Sequence, residues 1–165
     1  MTDIQTVLDN RPPTVGAMFN ARVAATPDNE AIRYPDAQEN WVSLTWAQLR
    51  STVWEIGAGL LALGLQQEER VALASNTRYE WVLLDLAINC AGGATTTVYP
   101  NTQGPEFAHI ITHSDSKYFV AEDVEQLGLG DPPAARREHD VLRVCQLLGQ
   151  LRLELAECLL TVDTE

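Results

Sequence analysis

The chain has 165 residues, which is the size of about one domain, so its length excludes a multidomain enzyme. Hydrophobic residues make up 45% of it and charged residues 21%, a balance that excludes disordered and low-complexity classes and predicts a globular core. The 23 acidic and 11 basic side chains give a net charge of -12. Because this charge repels phosphate backbones, we expect no nucleic-acid partner.

The cysteines predict a reducing environment. Cys90, Cys145 and Cys158 are odd in number and have no C-x-x-C spacing, so we expect no disulfide framework. The N-terminus has no basic region followed by an apolar stretch, and the longest apolar tract, residues 81–94, contains polar residues. We therefore expect no signal peptide, no transmembrane segment and a cytoplasmic location, with peripheral contact to a membrane as an alternative.

The first elements are a polar tail and a capped helix. Residues 1–13 form an N-terminal tail that ends in Pro12-Pro13 and is not expected to sustain a helix. Thr14 offers a side-chain oxygen to cap a helix over Val15–Ala25. This helix stops near Pro27.

A hairpin and a longer helix come next. Ala31–Tyr34 and Trp41–Leu44 are short β-prone runs separated by six polar, turn-forming residues, which predicts a hairpin. Thr45–Gln48 has the T-x-x-Q form of a capping box. It predicts the start of an amphipathic helix whose apolar face runs from Leu49 to Leu63 and ends at Gly64.

From residue 71 onward, strands alternate with helices. Predicted strands begin at regular spacing, at residues 71, 94 and 117. A capping box at Thr77–Glu80 predicts a largely buried helix between the first two, and Gly104-Pro105-Glu106 predicts the start of another. Such an order is typical of right-handed crossovers and a parallel sheet. The predicted fold class is α/β: a hairpin with helices, then strand-helix-strand units in a partial domain, then a C-terminal amphipathic helix.

The composition changes after Leu127. Residues 128–133 form a Gly- and Pro-rich linker, and residues 134–160 predict one long helix. Its apolar residues recur every three or four positions: Val141, Val144, Leu148, Leu151, Leu155 and Cys158. Either this helix packs on its own domain, or the seam binds a partner, such as a second copy of this chain. We therefore divide the chain into residues 1–13, 14–127 and a divergent 128–165.

Few residues in the sequence indicate a catalytic, metal or nucleotide site. Gly57, Gly59 and Gly64 lie late in a helix, so they predict close packing and a C-cap rather than a dinucleotide site. His109 and His113 have i, i+4 spacing but no evident third ligand, so we expect surface histidines. The acid pairs Glu68-Glu69 and Glu122-Asp123 fall at element ends and are expected to be solvated. No Gly/Ser/Thr-rich phosphate loop with a Lys occurs, and Lys117 is the one lysine.

Several motifs resemble those of a known family. The segment Ser43-Leu44-Thr45-Trp46-Ala47-Gln48-Leu49 is similar to the first core motif of the acyl-activating, AMP-forming superfamily. The segment from Asn89 to Asn101, N-C-A-G-G-A-T-T-T-V-Y-P-N, is similar to the second. In this order over residues 14–127, the chain resembles the N-terminal part of a bacterial long-chain fatty acyl-CoA synthetase.

This resemblance implies a two-step reaction in the complete enzyme. A fatty carboxylate and ATP give an acyl-adenylate and pyrophosphate, assisted by magnesium, and coenzyme A then displaces AMP to form a thioester. The family's phosphate loop, its magnesium Glu, its ribose Asp and its mobile-domain Lys match no position here. We therefore assign no catalytic, cofactor-binding or metal residue, and whether the chain is itself an enzyme stays open.

The leading interpretation is an N-terminal fragment of a long-chain fatty acid–CoA ligase that binds no ATP, magnesium or coenzyme A by itself and is inactive alone. One alternative is an interaction module whose 141–158 seam, with Val141, Val144, Leu148, Leu151 and Leu155, binds a second copy or a full-length synthetase. Another alternative is a small nucleotide-binding α/β protein. The resemblance implies a further helix and strand after Leu127, so the tail indicates a truncation or a change of reading frame. A sheet cut after its third strand exposes an edge, so we also expect self-association.

Overall fold

The computed structural model describes residues 3–102, 104–122 and 142–145. Helices and strands alternate along most of this length. The helices are α1 (Ile4–Asp9), α2 (Val15–Ala25), α3 (Trp46–Ala62), α4 (Tyr79–Cys90) and α5 (Gly104–His113). The strands are β1 (Glu30–Pro35), β2 (Trp41–Thr45), β3 (Arg70–Ala74), β4 (Ala94–Val98), β5 (Ser116–Ala121) and β6 (Leu142–Cys145). The predicted α/β class is confirmed.

The N-terminal tail contains a short helix that the sequence did not predict. Asp3 caps α1 by accepting a hydrogen bond from the Gln5 N–H, and the Gln5 and Asp9 side chains are hydrogen-bonded at 2.7 Å. These local bonds stabilise one and a half turns before the prolines. The next helix, α2, begins as predicted, because Thr14 Oγ1 accepts a hydrogen bond from the Ala17 N–H at 3.0 Å.

The hairpin prediction is confirmed. Strands β1 and β2 pair antiparallel, with Tyr34 opposite Val42 and Pro35 opposite Trp41. The Asp36 carboxylate accepts hydrogen bonds from the backbone N–H groups of Gln38 and Asn40 at 2.9 and 2.8 Å, which fixes the connecting loop.

Both ends of α3 also match their predictions. The Gln48 N–H donates to Thr45 Oγ1 at 3.2 Å and the Thr45 N–H donates to Gln48 Oε1 at 2.8 Å, so the capping box is complete. At the other end Gly64 has a φ of 97°, and the Leu65 N–H donates to the Leu60 carbonyl at 3.1 Å in a Schellman motif. Gly57 lies against α4, where an added Cβ would be 3.4 Å from the Ala87 carbonyl oxygen.

The capping box predicted at Thr77 is wrong. Helix α4 has Arg78 as its N-cap residue and no side-chain capping bond. Glu80, the acid expected to bond back to the start of the helix, instead pairs with the Arg78 guanidinium. Because both Glu80 oxygens accept hydrogen bonds from the cationic guanidinium, the carboxylate does not bond back to the start of the helix.

The second sheet has the order β4-β3-β5-β6, and all of its pairs are parallel. Val71 and Leu73 of β3 pack in one core cluster with α4, α3 and α2, and Ala72 and Ala74 pack in another with α5. Helices α4 and α5 therefore cover opposite faces of the sheet. The predicted parallel sheet is confirmed, with a fourth strand added.

The single helix predicted over residues 134–160 is wrong, because Leu142–Cys145 form strand β6, paired with Tyr118–Ala121. Apolar periodicity over a short run does not distinguish a buried strand from a helix. Residues 142–145 form a strand because they pair with the edge of β5 that β3 leaves open. Val144 of the proposed seam falls in β6. Val141, Leu148, Leu151, Leu155 and Cys158 lie outside the described residues, so their role as a partner surface stays a prediction.

Candidate functional site

A cleft opens at the carboxyl ends of β3 and β4. These neighbouring strands lead into α4 and α5, which cover opposite faces of the sheet. Ligands of open parallel sheets bind where neighbouring connections diverge in this way. The cleft has a volume of about 600 Å³ and is lined by Ser75, Asn76, Thr77, Trp81, Thr97, Val98, Tyr99, Pro100 and Asn101.

One carboxylate fixes the loop on the β3 side of this cleft. Glu122, directly after β5, accepts hydrogen bonds through Oε2 from the Asn76 backbone N–H at 2.7 Å and from Asn76 Nδ2 at 3.0 Å. The Ser75 hydroxyl donates to the same oxygen at 3.3 Å. Its other oxygen, Oε1, accepts from Arg78 Nη1 at 3.0 Å. Glu122 thus joins the ends of β3 and β5 to the start of α4.

Arg78 bridges two carboxylates. Its Nε and Nη2 donate to the two oxygens of Glu80 at 2.7 and 2.9 Å, a two-bond pairing in which Glu80 is buried. The hydrogen bonds that Arg78 donates to Glu80, ahead of its interaction with Glu122, raise the pKa of the Arg78 guanidinium above its usual range. The charge of Arg78, whose side chain is 36% exposed, is consequently balanced by two carboxylates and is not directed into the cleft.

The same contacts set the ionisation of Glu122. Burial acts to raise the pKa of its carboxyl, but the hydrogen bonds from Asn76 and Arg78 outweigh burial, and the pKa lies below its usual value. The sequence-based expectation that Glu122 is solvated is therefore wrong. The signal in the sequence was an acid directly after one apolar strand and an arginine shortly after another, because parallel strands bring their carboxyl ends together.

An aromatic pair holds the hairpin against this region. The rings of Tyr34 in β1 and Tyr79 in α4 stack with centroids 3.7 Å apart and planes 11° apart. Burial, followed by the nearby charge of Glu80, raises the pKa of Tyr79 to about 12. Tyr79 therefore stays neutral at physiological pH, with its ring packed against Tyr34.

The side chains lining the cleft are neutral. They are amides, hydroxyls, one indole, one phenol ring and apolar groups. Lys117 lies at the amino end of β5, on the edge of the sheet opposite the cleft. The residues that line the cleft thus include no lysine, no arginine and no carboxylate.

The remaining candidates are not assembled into a site. His109 and His113 are exposed on α5 with ring centroids 5.3 Å apart, and the described residues contain no group of three or more side chains able to hold a metal. Cys90 is a free thiol whose pKa is raised by burial. No helix in the described ranges is long and apolar enough to cross a membrane.

Two curated proteins that this chain matches are acyl-CoA ligases. Long-chain-fatty-acid–CoA ligase FadD15 of Mycobacterium bovis is 32% identical over 82 residues, which are 50% of this chain and 14% of FadD15. Mitochondrial medium-chain acyl-CoA ligase ACSF2 of Macaca fascicularis is 34% identical over 107 residues, which are 65% of this chain and 17% of ACSF2. This chain therefore spans less than a fifth of either relative.

The fold is shared with a solved enzyme. A fatty acyl-adenylate ligase from L. pneumophila, crystallised with acyl adenylate and pyrophosphate, matches with a TM-score of 0.65 at 17% identity, over 87% of this chain and 25% of that one. The family described as AMP-binding enzyme matches residues 19–162. The match therefore continues past residue 127, into the segment predicted to be divergent. With that match covering most of its length, the chain belongs to the AMP-binding enzyme family.

Proposed function

We propose that this chain forms part of the AMP-binding domain of a long-chain fatty acid–CoA ligase and makes no acyl-CoA alone. The family match over residues 19–162 supports the first statement, together with the similarity to a long-chain and a medium-chain ligase. The second rests on the cleft, whose neighbouring cation Arg78 is fully paired with Glu80 and Glu122. We also propose a cytoplasmic location.

In the complete enzyme, the proposed reaction has two displacements. A carboxylate oxygen attacks the α-phosphorus of ATP and pyrophosphate leaves, and the thiolate of coenzyme A then attacks the acyl carbon and AMP leaves. Magnesium and a cation must balance the phosphate charge in the first step. The contribution of this chain is structural: the Glu122 network holds the carboxyl ends of β3 and β5 and the start of α4 in a fixed arrangement.

The test of inactivity is an assay of the purified full chain with palmitate, ATP, magnesium chloride and coenzyme A. We expect no palmitoyl-CoA and no AMP above a protein-free control when products are separated by chromatography. FadD15 of Mycobacterium tuberculosis, assayed in parallel, is the positive control. Palmitoyl-CoA formed in proportion to the concentration of this chain would show that the missing machinery is present after all.

The assignment to the ligase domain needs a separate test. The 82 residues of this chain that match FadD15 can replace the corresponding segment of that enzyme, and we expect this chimera to fold and to retain measurable acyl-CoA formation. A chimera that folds, as judged by cooperative thermal unfolding, but has lost all activity would contradict the assignment. The wild-type FadD15 preparation controls for assay conditions.

A further inference from the structure

Strand β4 lies at one edge of the parallel sheet. Within the described residues, it pairs with β3 on one side and with no strand on the other. The pairing with β3 is regular over all five residues, from Arg70 opposite Ala94 to Ala74 opposite Val98. This regular strand therefore presents a straight outer row of backbone groups.

The register determines which groups point outward. The Ala94 N–H donates to the Glu69 carbonyl at 2.9 Å, so Ala94 faces β3. In a parallel ladder, alternate residues face the same neighbour, so Thr96 and Val98 also face β3. The N–H and C=O groups of Thr95 and Thr97 consequently point away from the sheet.

This edge lacks the usual protection against pairing. Natural edge strands carry charged residues, proline or a bulge. Strand β4 reads Ala-Thr-Thr-Thr-Val, has no bulge against β3, and exposes Ala94 and Thr97. It is an accessible template for another strand.

We propose that the outer edge of β4 pairs antiparallel with β4 of a second copy of this chain, about a twofold axis through Thr96. In this register, Thr95 of each copy lies opposite Thr97 of the other. Both residues point their backbone groups outward, so each such pair exchanges two hydrogen bonds. The near-palindromic sequence makes the edge self-complementary, as a twofold interface requires.

A second observation supports this register. The side-chain oxygen Oγ1 of Thr95 is buried and has no hydrogen-bond partner among the described residues of the single chain. Thr95 and Thr97 align with Val71 and Leu73, so both side chains lie on the α4 face of the sheet. Pairing places Thr97 of the second copy directly opposite Thr95, where Thr–Thr side-chain hydrogen bonds form between strands. A rotation of the Thr95 side chain about χ1 then gives the unpaired hydroxyl a partner.

The charge distribution also permits this arrangement. Glu68 and Glu69 precede β3 at the amino edge of the sheet, and the carboxyl edge near β4 carries the neutral residues Tyr99 and Asn101. Antiparallel pairing places the acidic edge of one copy beside the neutral edge of the other. The two acidic edges are therefore kept apart despite the net charge of -12 on each copy.

The test is the mass of the full chain in solution by light scattering at a concentration on the order of 0.1 mM, where even a weak dimer is populated. We expect twice the chain mass of 18.2 kDa. Thr97→Lys places a charge on the edge and should give a monomer, while Thr112→Lys, the same change at an exposed site on α5, should remain dimeric. Circular dichroism confirms that both variants fold.

Thr95→Val adds a test that leaves the surface charge unchanged. It removes the buried hydroxyl at nearly constant shape, and we expect the dimer to dissociate at least severalfold more readily than wild type. A monomeric wild-type chain would overturn the proposal. A dimer that is unaffected by Thr97→Lys would do the same, because another surface, such as the seam around Leu148, would then be responsible.

Discussion

Glu122 shows how one side chain connects distant parts of the sequence. It is 18% exposed and bonds to Ser75, Asn76 and Arg78, which lie more than forty positions earlier in the chain. Each of these groups would otherwise need water or a different partner. The residue therefore stabilises the β3–α4 loop and the end of β5 together.

Replacing Glu122 by Gln should lower the free energy of unfolding by about 1–2 kcal/mol, because a charge-assisted set of bonds becomes a neutral one. Urea denaturation followed by circular dichroism measures the change. Glu55→Gln, at an exposed site on α3, is the matched control and should change stability by less than about 0.5 kcal/mol. Equal effects of the two variants would show that the Glu122 contacts contribute nothing specific.

At the scale of elements, local sequence decides some helix starts and tertiary contacts decide others. The side chains of Thr45 and Gln48 each accept a hydrogen bond from the other's backbone N–H, with no contribution from distant residues. This capping box can therefore be predicted from the sequence alone. Thr77 and Glu80 have similar spacing, but Arg78 takes up the Glu80 carboxylate. The T-x-x-E spacing alone does not show whether the Glu80 carboxylate bonds to the backbone or to Arg78.

This contrast gives a paired prediction. Thr45→Ala should lower the free energy of unfolding by about 1 kcal/mol, because the Gln48 N–H loses its acceptor. Thr77→Ala should change it by less than about 0.5 kcal/mol, because α4 has no side-chain cap to lose. Both values come from urea denaturation. A loss at Thr77 as large as that at Thr45 would mean that the second capping box forms in solution.

The parts of the fold that the sequence predicted are those with strong local signals. The hairpin, α3 and the regularly spaced strands β3, β4 and β5 all have turn residues, caps or β-branched runs at their ends. Strand β6 was missed because it exists through pairing with β5, a tertiary contact that periodicity does not report. The Glu122 network was missed for the same reason, since it depends on which strand ends become neighbours.

At the scale of the whole molecule, the acidic composition makes stability dependent on pH. Glu30 has its pKa lowered by hydrogen bonds from Ser43 and Arg33, and Asp36 by the Asn40 backbone N–H. Glu122 has a lowered pKa as well, because the bonds from Asn76 and Arg78 outweigh burial. All three carboxylates therefore bind protons more weakly in the folded chain than in the unfolded chain.

The stabilisation from these carboxylates should therefore be fully present above the pKa values that they have in the unfolded chain. It should be lost as the pH falls through their lower pKa values in the folded chain. We expect the urea midpoint to be constant near neutral pH and to decline from about pH 5 to about pH 3. In Glu122→Gln, part of this decline should be absent, because the substituted residue no longer titrates. A midpoint that rises on acidification, as relief of the net negative charge alone would produce, would contradict this prediction.

The central position of β3 also has a consequence for synthesis on the ribosome. Val71 of β3 pairs with Thr95 and with Tyr118, both of which emerge later. The hairpin and α3 can form while β3 still has no neighbour, so its buried apolar face stays uncovered until α4 and β4 have left the exit tunnel. The sheet then grows first on one side of β3 and afterwards on the other. This order leaves a window during translation in which the apolar face of β3 is exposed and prone to aggregation.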